Sequence, residues 1–372
     1  MTDPSSGIKS ERLRSAIRKH FHGLVPYQPI VPTDVLSKEV GLSQEGIIKL
    51  DGNENPYGPS PRALEAIRNF DSYHIYPDPT QRELRIALGE YVGLPADHIT
   101  VGNGSDEPMD LLVRLLVDPG DAVITCSPTF GMYPFEADIN AGRLVDVPRD
   151  ADFNLDLPKV IEAAKDETAK IIFLASPNNP TGNPLLPHEL KALLETGIVV
   201  VVDEAYQEFS ALPSYSKFVP EYENLVVLRT FSKWAGLAGL RVGYAAMSPV
   251  LVRYIDQIKP PYNVNVAALV AAQASLEDKG VLLERVHWMI DERERMMRGL
   301  AAIGFLGPIP SQANFILNRV HGQDAGDIKH SLERRGIFIK HVDTPYLPNA
   351  IRISVGKPEH TDAVLAALKE FC

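Results

Sequence analysis

Val199-Val200-Val201-Val202-Asp203-Glu204-Ala205-Tyr206 is the stretch that decides the fold. Neighbouring side chains of a strand point to opposite faces, so four consecutive valines load both faces with apolar groups. Such a run fits a strand covered on both sides, as in a mostly parallel sheet between helices. The run then stops on a carboxylate. Open α/β sheets bind their ligands at the carboxyl ends of the strands, so Asp203 stands where chemistry is expected.

The same pattern recurs on either side. Apolar runs fall at residues 99–101, 121–126, 143–147, 170–175, 225–228 and 243–246, with turns and helical stretches such as 106–117 between them. Strands alternating with helices mean an α/β architecture. The expected large domain therefore has a mostly parallel sheet of the seven-stranded type, sandwiched by helices. After about residue 260 the pattern changes to two helices, at 264–277 and 280–303, three short strands, at 315–317, 337–339 and 351–354, and a closing helix at 360–371. This reads as a small α+β domain. The first residues read as an arm, with a short basic helix over 10–21 and a proline-rich extended piece over 25–32. A short strand follows at 47–50. The expected division is an arm and part of the small domain over 1–46, a large domain over 47–260 and the small domain over 261–372.

The bulk numbers narrow the class. A chain of 372 residues exceeds the usual single-core limit. Its formal charge of −11 argues against non-specific binding to nucleic acid or to an anionic membrane. Two cysteines, Cys126 and Cys372, make a disulfide framework an unsuitable reading and point to a reducing compartment. Residues 1–22 have no apolar signal-peptide core, and no apolar run approaches the roughly 20 residues of a membrane span. The expectation is a cytoplasmic protein that meets neither membrane nor nucleic acid.

Four segments carry chemistry. Thr230-Phe231-Ser232-Lys233 follows a strand and precedes small residues up to Gly239, which permit close approach of a ligand. A lysine there, partly desolvated, can lose its proton and act as a nucleophile. Asp203 suits the partner of a protonated pyridine nitrogen. Ser176-Pro177-Asn178-Asn179-Pro180-Thr181-Gly182 is a rigid polar turn after another strand, and Asn179 could bond a phenolic oxygen. Gly102-Asn103-Gly104-Ser105-Asp106 joins strand to helix, where free N–H groups cradle a phosphate. Each also has a plainer reading: a surface lysine, a helix cap or metal ligand, a turn, and a glycine turn capped by Ser105.

Taken together and in this order, the segments resemble the fold-type-I aminotransferases, which use pyridoxal 5′-phosphate. The likeness spans nearly the whole chain, and the histidinol-phosphate branch is nearest. Its most specific pieces are Leu50-Asp51-Gly52-Asn53-Glu54-Asn55-Pro56-Tyr57-Gly58-Pro59, Pro128-Thr129-Phe130-Gly131-Met132-Tyr133, and Thr230 through Gly243. The resemblance implies roles. Lys233 forms the Schiff base and shuttles the proton, Asp203 pairs with the pyridine nitrogen, and Asn179 and Tyr206 bind O3′. Phe130 stacks on the ring. Ser105, Ser232 and Arg241 hold the phosphate with the backbone of Gly104 and Asp106, and Tyr57 reaches it from a neighbouring subunit. Arg352 grips the substrate carboxylate, with Asn53 nearby, and Tyr27 on the arm closes the site of the other subunit. A homodimer with shared active sites is thereby implied.

One position departs from the family. An arginine usual in the strand before the last motif is replaced within Gly336-Ile337-Phe338-Ile339-Lys340-His341, where Lys340 takes its place. Lysine binds phosphate as a point charge and lacks the bidentate fork. The implied reaction is amino transfer between a small amino acid or amino-alcohol phosphate and a 2-oxo acid. The expected pair is histidinol phosphate and 2-oxoglutarate, with an aromatic amino acid as the alternative. A threonine-phosphate decarboxylase would keep the same cofactor residues.

Overall fold

In a computed structural model that describes residues 11–372, the valine run is the middle strand of a seven-stranded sheet. The arm carries α1 (Glu11–Ala16) and α2 (Thr33–Val40), and β1 (Ile48–Leu50) follows. Helices α3 (Pro61–Asn69) and α4 (Arg82–Val92) lead to β2 (Ile99–Gly102), α5 (Asp106–Leu116), β3 (Ala122–Thr125), α6 (Met132–Ile139) and β4 (Arg143–Asp146). Next come α7 (Leu157–Ala164), β5 (Ala169–Ala175), α8 (Pro187–Leu194), β6 (Val199–Asp203), β7 (Leu225–Thr230) and β8 (Gly243–Ala246). The chain then forms α9 (Pro249–Ile258), α10 (Val266–Glu277) and α11 (Lys279–Ala301). It ends with β9 (Leu306–Pro308), β10 (Phe315–Val320), α12 (Ala325–Glu333), β11 (Ile337–Thr344), β12 (Leu347–Ser354) and α13 (Pro358–Lys369).

The large sheet has the order β2-β8-β7-β6-β5-β3-β4. All pairings are parallel except those of β8, which runs antiparallel to β2 and β7. Val200 and Val202 face a core that includes Val160 of α7 and Leu190 and Leu193 of α8. Val201 faces the other, with Met109 of α5, Tyr133 of α6 and Ile255 of α9. The run has no polar member because both faces are covered. Each fully buried valine contributes on the order of 1.5–3 kcal/mol. Only β4, at the sheet edge, departs from the expected burial: Arg143 and Leu144 are exposed.

The second sheet has the order β1-β11-β12-β10-β9. Strand β1 pairs in parallel with β11, Ile48 opposite Ile337 and Leu50 opposite Ile339. Strand β1 thus joins the sheet of the small lobe. Helix α10 packs on α3 and α4, whereas α11 packs on α13 and β9. The basic helix expected over 10–21 is shorter, since α1 ends at Ala16 and a 3₁₀ turn covers Lys19–Gly23; Ser10 lies outside the described residues. Among the described residues no helix is long and apolar enough to cross a membrane.

Candidate active site

Strands β5, β6 and β7 deliver Ala175, Asp203 and Thr230 to one end of the sheet, where a cavity of about 580 Å³ opens towards the small lobe. Both oxygens of Asp203 are engaged. Tyr133 Oη donates to Oδ2 at 3.0 Å, and the Ala205 N–H donates to Oδ1 at 3.0 Å. Burial pushes this carboxyl up to about 6. Among the described residues no cation pairs with Asp203, so it can accept a buried cationic N–H brought by a ligand.

Beyond β7 the chain turns sharply. The Ser232 N–H and hydroxyl both lie within hydrogen-bond reach of Thr230 Oγ1, at 3.1 and 3.0 Å. Trp234 is fully buried and stacks on Tyr91, which anchors the residue before it. Lys233 therefore projects into the cavity, where Nζ donates to the Gly52 carbonyl at 3.1 Å. Burial, with Arg352 as the second cause, pushes its amine down to about 8. A surface lysine would show neither feature.

An anion cradle lies beside it. Ser105 opens α5, and its side chain makes no cap bond, so the plainer reading as a helix cap does not hold. Gly104 adopts a left-handed conformation, φ 69°, and a Cβ there would lie 2.6 Å from Arg241 Nη2. Gly243 must also be bare: a Cβ would lie 2.5 Å from the Gly104 carbonyl carbon. Arg241 pairs with the Asp106 carboxylate at 2.8 Å and reaches towards Ser232 Oγ at 3.5 Å. First-turn N–H groups, a serine on either side and a guanidinium fit a phosphate.

The opposite end faces the small lobe. Arg352 on β12 is 8% exposed. It donates to Asn179 Oδ1 at 2.5 Å and to the Asp51 carbonyl at 2.6 Å, while its buried Nε has no partner. Lys340 on β11 is its register neighbour, lines the same cavity and is pushed down by burial and then by Arg352. Asn53 is held by Ser354 and donates to Tyr206 Oη at 3.0 Å. Phe130 lines the wall.

Of the expected residues, the cavity gathers Tyr27, Asn53, Ser105, Asp106, Phe130, Asn179, Asp203, Tyr206, Ser232, Lys233, Arg241, Lys340 and Arg352. Gly104 lies behind Arg241. Tyr57 does not line the cavity; it packs edge-on against Trp288. Tyr27 lies over the cavity of its own chain, edge-on to Phe130 at 6.4 Å, where the extended arm crosses that mouth. Tyr133, which fixes Asp203, was missed as a site residue. It follows Phe130 by three residues, a helical spacing that was the available signal. The carbonyls of Asp51 and Gly52 carry no side-chain signal at all. A larger groove of about 960 Å³ runs between α3, α4 and α10, away from Lys233. Two ion pairs lie along it, Arg62 with Glu277 and Arg82 with Asp78.

Comparison with known proteins agrees with this geometry. The family described as aminotransferase class I and II matches residues 45–368. A histidinol-phosphate aminotransferase of Roseiflexus castenholzii is 49% identical over 95% of this chain and 97% of its own length. A chloroplastic histidinol-phosphate aminotransferase of Nicotiana plumbaginifolia is 47% identical over 95% of this chain and 86% of its own. The solved histidinol-phosphate aminotransferase of Sinorhizobium meliloti, in complex with pyridoxal-5′-phosphate, is 32% identical. It superposes with a TM-score of 0.86 over 96% of this chain and 97% of the other.

Proposed function

This chain belongs to the class I and II aminotransferases, a pyridoxal-phosphate family, and on that premise we propose that it exchanges an amino group between histidinol phosphate and 2-oxoglutarate. The observation that carries the substrate is the pair of cations Arg352 and Lys340, side by side on β12 and β11 at one end of the cavity. A small-molecule substrate with one anionic end matches them. Relatives bearing the histidinol-phosphate name over most of their length support the same choice.

Pyridoxal phosphate, when bound, supplies an electron sink for the charge left at the substrate's α-carbon. The chain's own residues do the rest. Ser105, Ser232, Arg241 and the backbone at Gly104 and Asp106 hold the phosphate. Phe130 covers a ring face. Asn179 and Tyr206 hold O3′. Asp203 keeps a proton on the ring nitrogen, because a lone buried carboxylate favours a cationic neighbour. Lys233, with its amine near neutrality, binds the cofactor and takes up the proton leaving the α-carbon. Arg352 orients the substrate through two parallel bonds. The arm, through Tyr27, keeps water from that end. Two further parts of this reading are a homodimer, in which Tyr57 serves the site of a second copy, and residence in the cytoplasm. Free cysteines at 126 and 372 suit that compartment.

A second reading is an aromatic aminotransferase. The lysine at 340, with Tyr27 and Phe130 in the cavity wall, favours it. Single-turnover conversion of the lysine-bound cofactor to its amine form, with histidinol phosphate and phenylalanine side by side, separates the two. Faster conversion by histidinol phosphate supports the first reading. Preference for phenylalanine sinks it and renames the substrate.

A further inference from the structure

Glu204 and Glu208 flank the segment that carries Tyr206, and both carboxylates are taken out of water, with side chains 0% and 4% exposed. One guanidinium meets both. Arg229 Nη1 lies 3.2 Å from Glu204 Oε2, and Nη2 lies 2.7 Å from Glu208 Oε1. The rest of the shell is complete. Glu204 accepts from Ser214 Oγ and the Tyr215 N–H, each at 2.6 Å, and Glu208 accepts from Tyr91 Oη at 3.1 Å. None of these groups lines the cavity. A buried ion triad does not stabilise a fold strongly compared with apolar packing, yet it fixes geometry and is costly to break. Its place in the chain gives that geometry a purpose. Arg229 is one residue from the end of β7, four before Lys233, and its carboxylate partners bracket Ala205-Tyr206-Gln207. Tyr91 closes the circle by stacking on Trp234.

We propose that Arg229 is a positioning residue: by clamping Glu204 and Glu208 together it holds the Tyr206 hydroxyl in place at the cavity. The inference rests on the reading that Tyr206 donates to the O3′ oxygen of bound pyridoxal phosphate. Burial opposes the charge on Arg229, and Glu208, Tyr244, Glu204 and Tyr91 together more than offset it, so the clamp stays ionised.

The test reads the visible absorbance of the lysine-bound cofactor against pH in the holoenzyme. A hydrogen bond to O3′ favours its anionic form, so Tyr206→Phe raises the pH midpoint. Lysine at 229 keeps one charge but has a single nitrogen in place of the planar fork whose two nitrogens meet Glu204 and Glu208 separately. Arg229→Lys should raise the midpoint by about half a pH unit or more. The double variant should shift no further than Tyr206→Phe alone, since both act through one bond. A wild-type midpoint in Arg229→Lys, or shifts that add in the double variant, overturns the proposal. Should Arg229→Lys not fold, the same cycle with Glu208→Gln, which keeps shape and the Tyr91 bond, decides in the same way. If Tyr206→Phe leaves the midpoint unmoved, the O3′ assignment falls and this proposal with it. A shift there without one at Arg229 removes the clamp alone.

Discussion

Lys233 and Asp203 hold protons in ways their free side chains would not. Lys233 is lowered to about 8 by burial, so its amine is mostly neutral above that pH and mostly charged below it. Only the neutral amine attacks a carbonyl. The rate at which apoenzyme captures pyridoxal phosphate should therefore rise from pH 6 and level off above about 8 in stopped-flow absorbance. A flat profile would mean that the lysine is not the group that limits capture. Arg352 makes a different kind of statement. Its two nitrogens already sit on Asn179 and Asp51, a geometry ready for a carboxylate or phosphate. Arg352→Ala should raise KM for the amino substrate by roughly tenfold to a hundredfold, the worth of hydrogen bonds to a charged group. Cofactor affinity, measured by absorbance titration, should change by much less. Equal losses in both would place Arg352 on the cofactor.

At the scale of elements, the crossing of β8 with the turn before α5 leaves no room for a side chain. A Cβ at Gly243 would come within 2.5 Å of the Gly104 carbonyl carbon and 2.6 Å of the Ser105 nitrogen. Both are backbone atoms, so the turn itself must give way. Gly243→Ala is expected to lower stability by about 1–3 kcal/mol, as overpacking does. It should also weaken cofactor binding at least about tenfold if the displaced N–H groups hold the phosphate as proposed. Denaturant melts and cofactor titration together test this, and a stable variant with normal affinity would clear the turn of that role. Elements of this kind were partly legible in the sequence. Uniformly apolar runs such as 199–202 announce a strand covered on both faces, and their carboxyl ends pointed to Asp203, Asn179 and Lys233. Helix α6 escaped because Pro134 and a mostly apolar surround hide its period. The partner of β1 could not be read either. Pairing between distant strands depends on which edge the tertiary fold leaves open, and three residues of periodicity hold no trace of it. Bonds from Lys233 and Arg352 to the carbonyls of Gly52 and Asp51 were invisible because every residue carries the same carbonyl.

The whole molecule raises the question of copies. Tyr57 faces away from its own cavity, held by Trp288 while Arg285 grips the carbonyls of Gly58 and Pro59. If it serves a second chain, two defective chains should mend each other. Mixing Lys233→Ala with Tyr57→Ala, through a cycle of dissociation and reassociation, would pair one intact lysine with one intact Tyr57. Activity should rise above that of either variant, towards about a quarter of wild type for random pairing in a two-fold dimer. No gain on mixing, in chains shown by light scattering to have exchanged, would confine Tyr57 to its own subunit.

The pairing of β1 with β11 has a consequence for how the protein comes into being. A ribosome releases Ile48–Leu50 long before β11, the strand that receives it, and before Arg352 one strand later. The Asp51–Glu54 segment, anchored by that pairing, supplies the carbonyl that Lys233 Nζ meets. A chain released as far as β8 thus holds every strand of the large sheet, and Lys233, before the strands that bear Lys340 and Arg352 exist. Over that interval the lysine is present while the other end of its cavity is not.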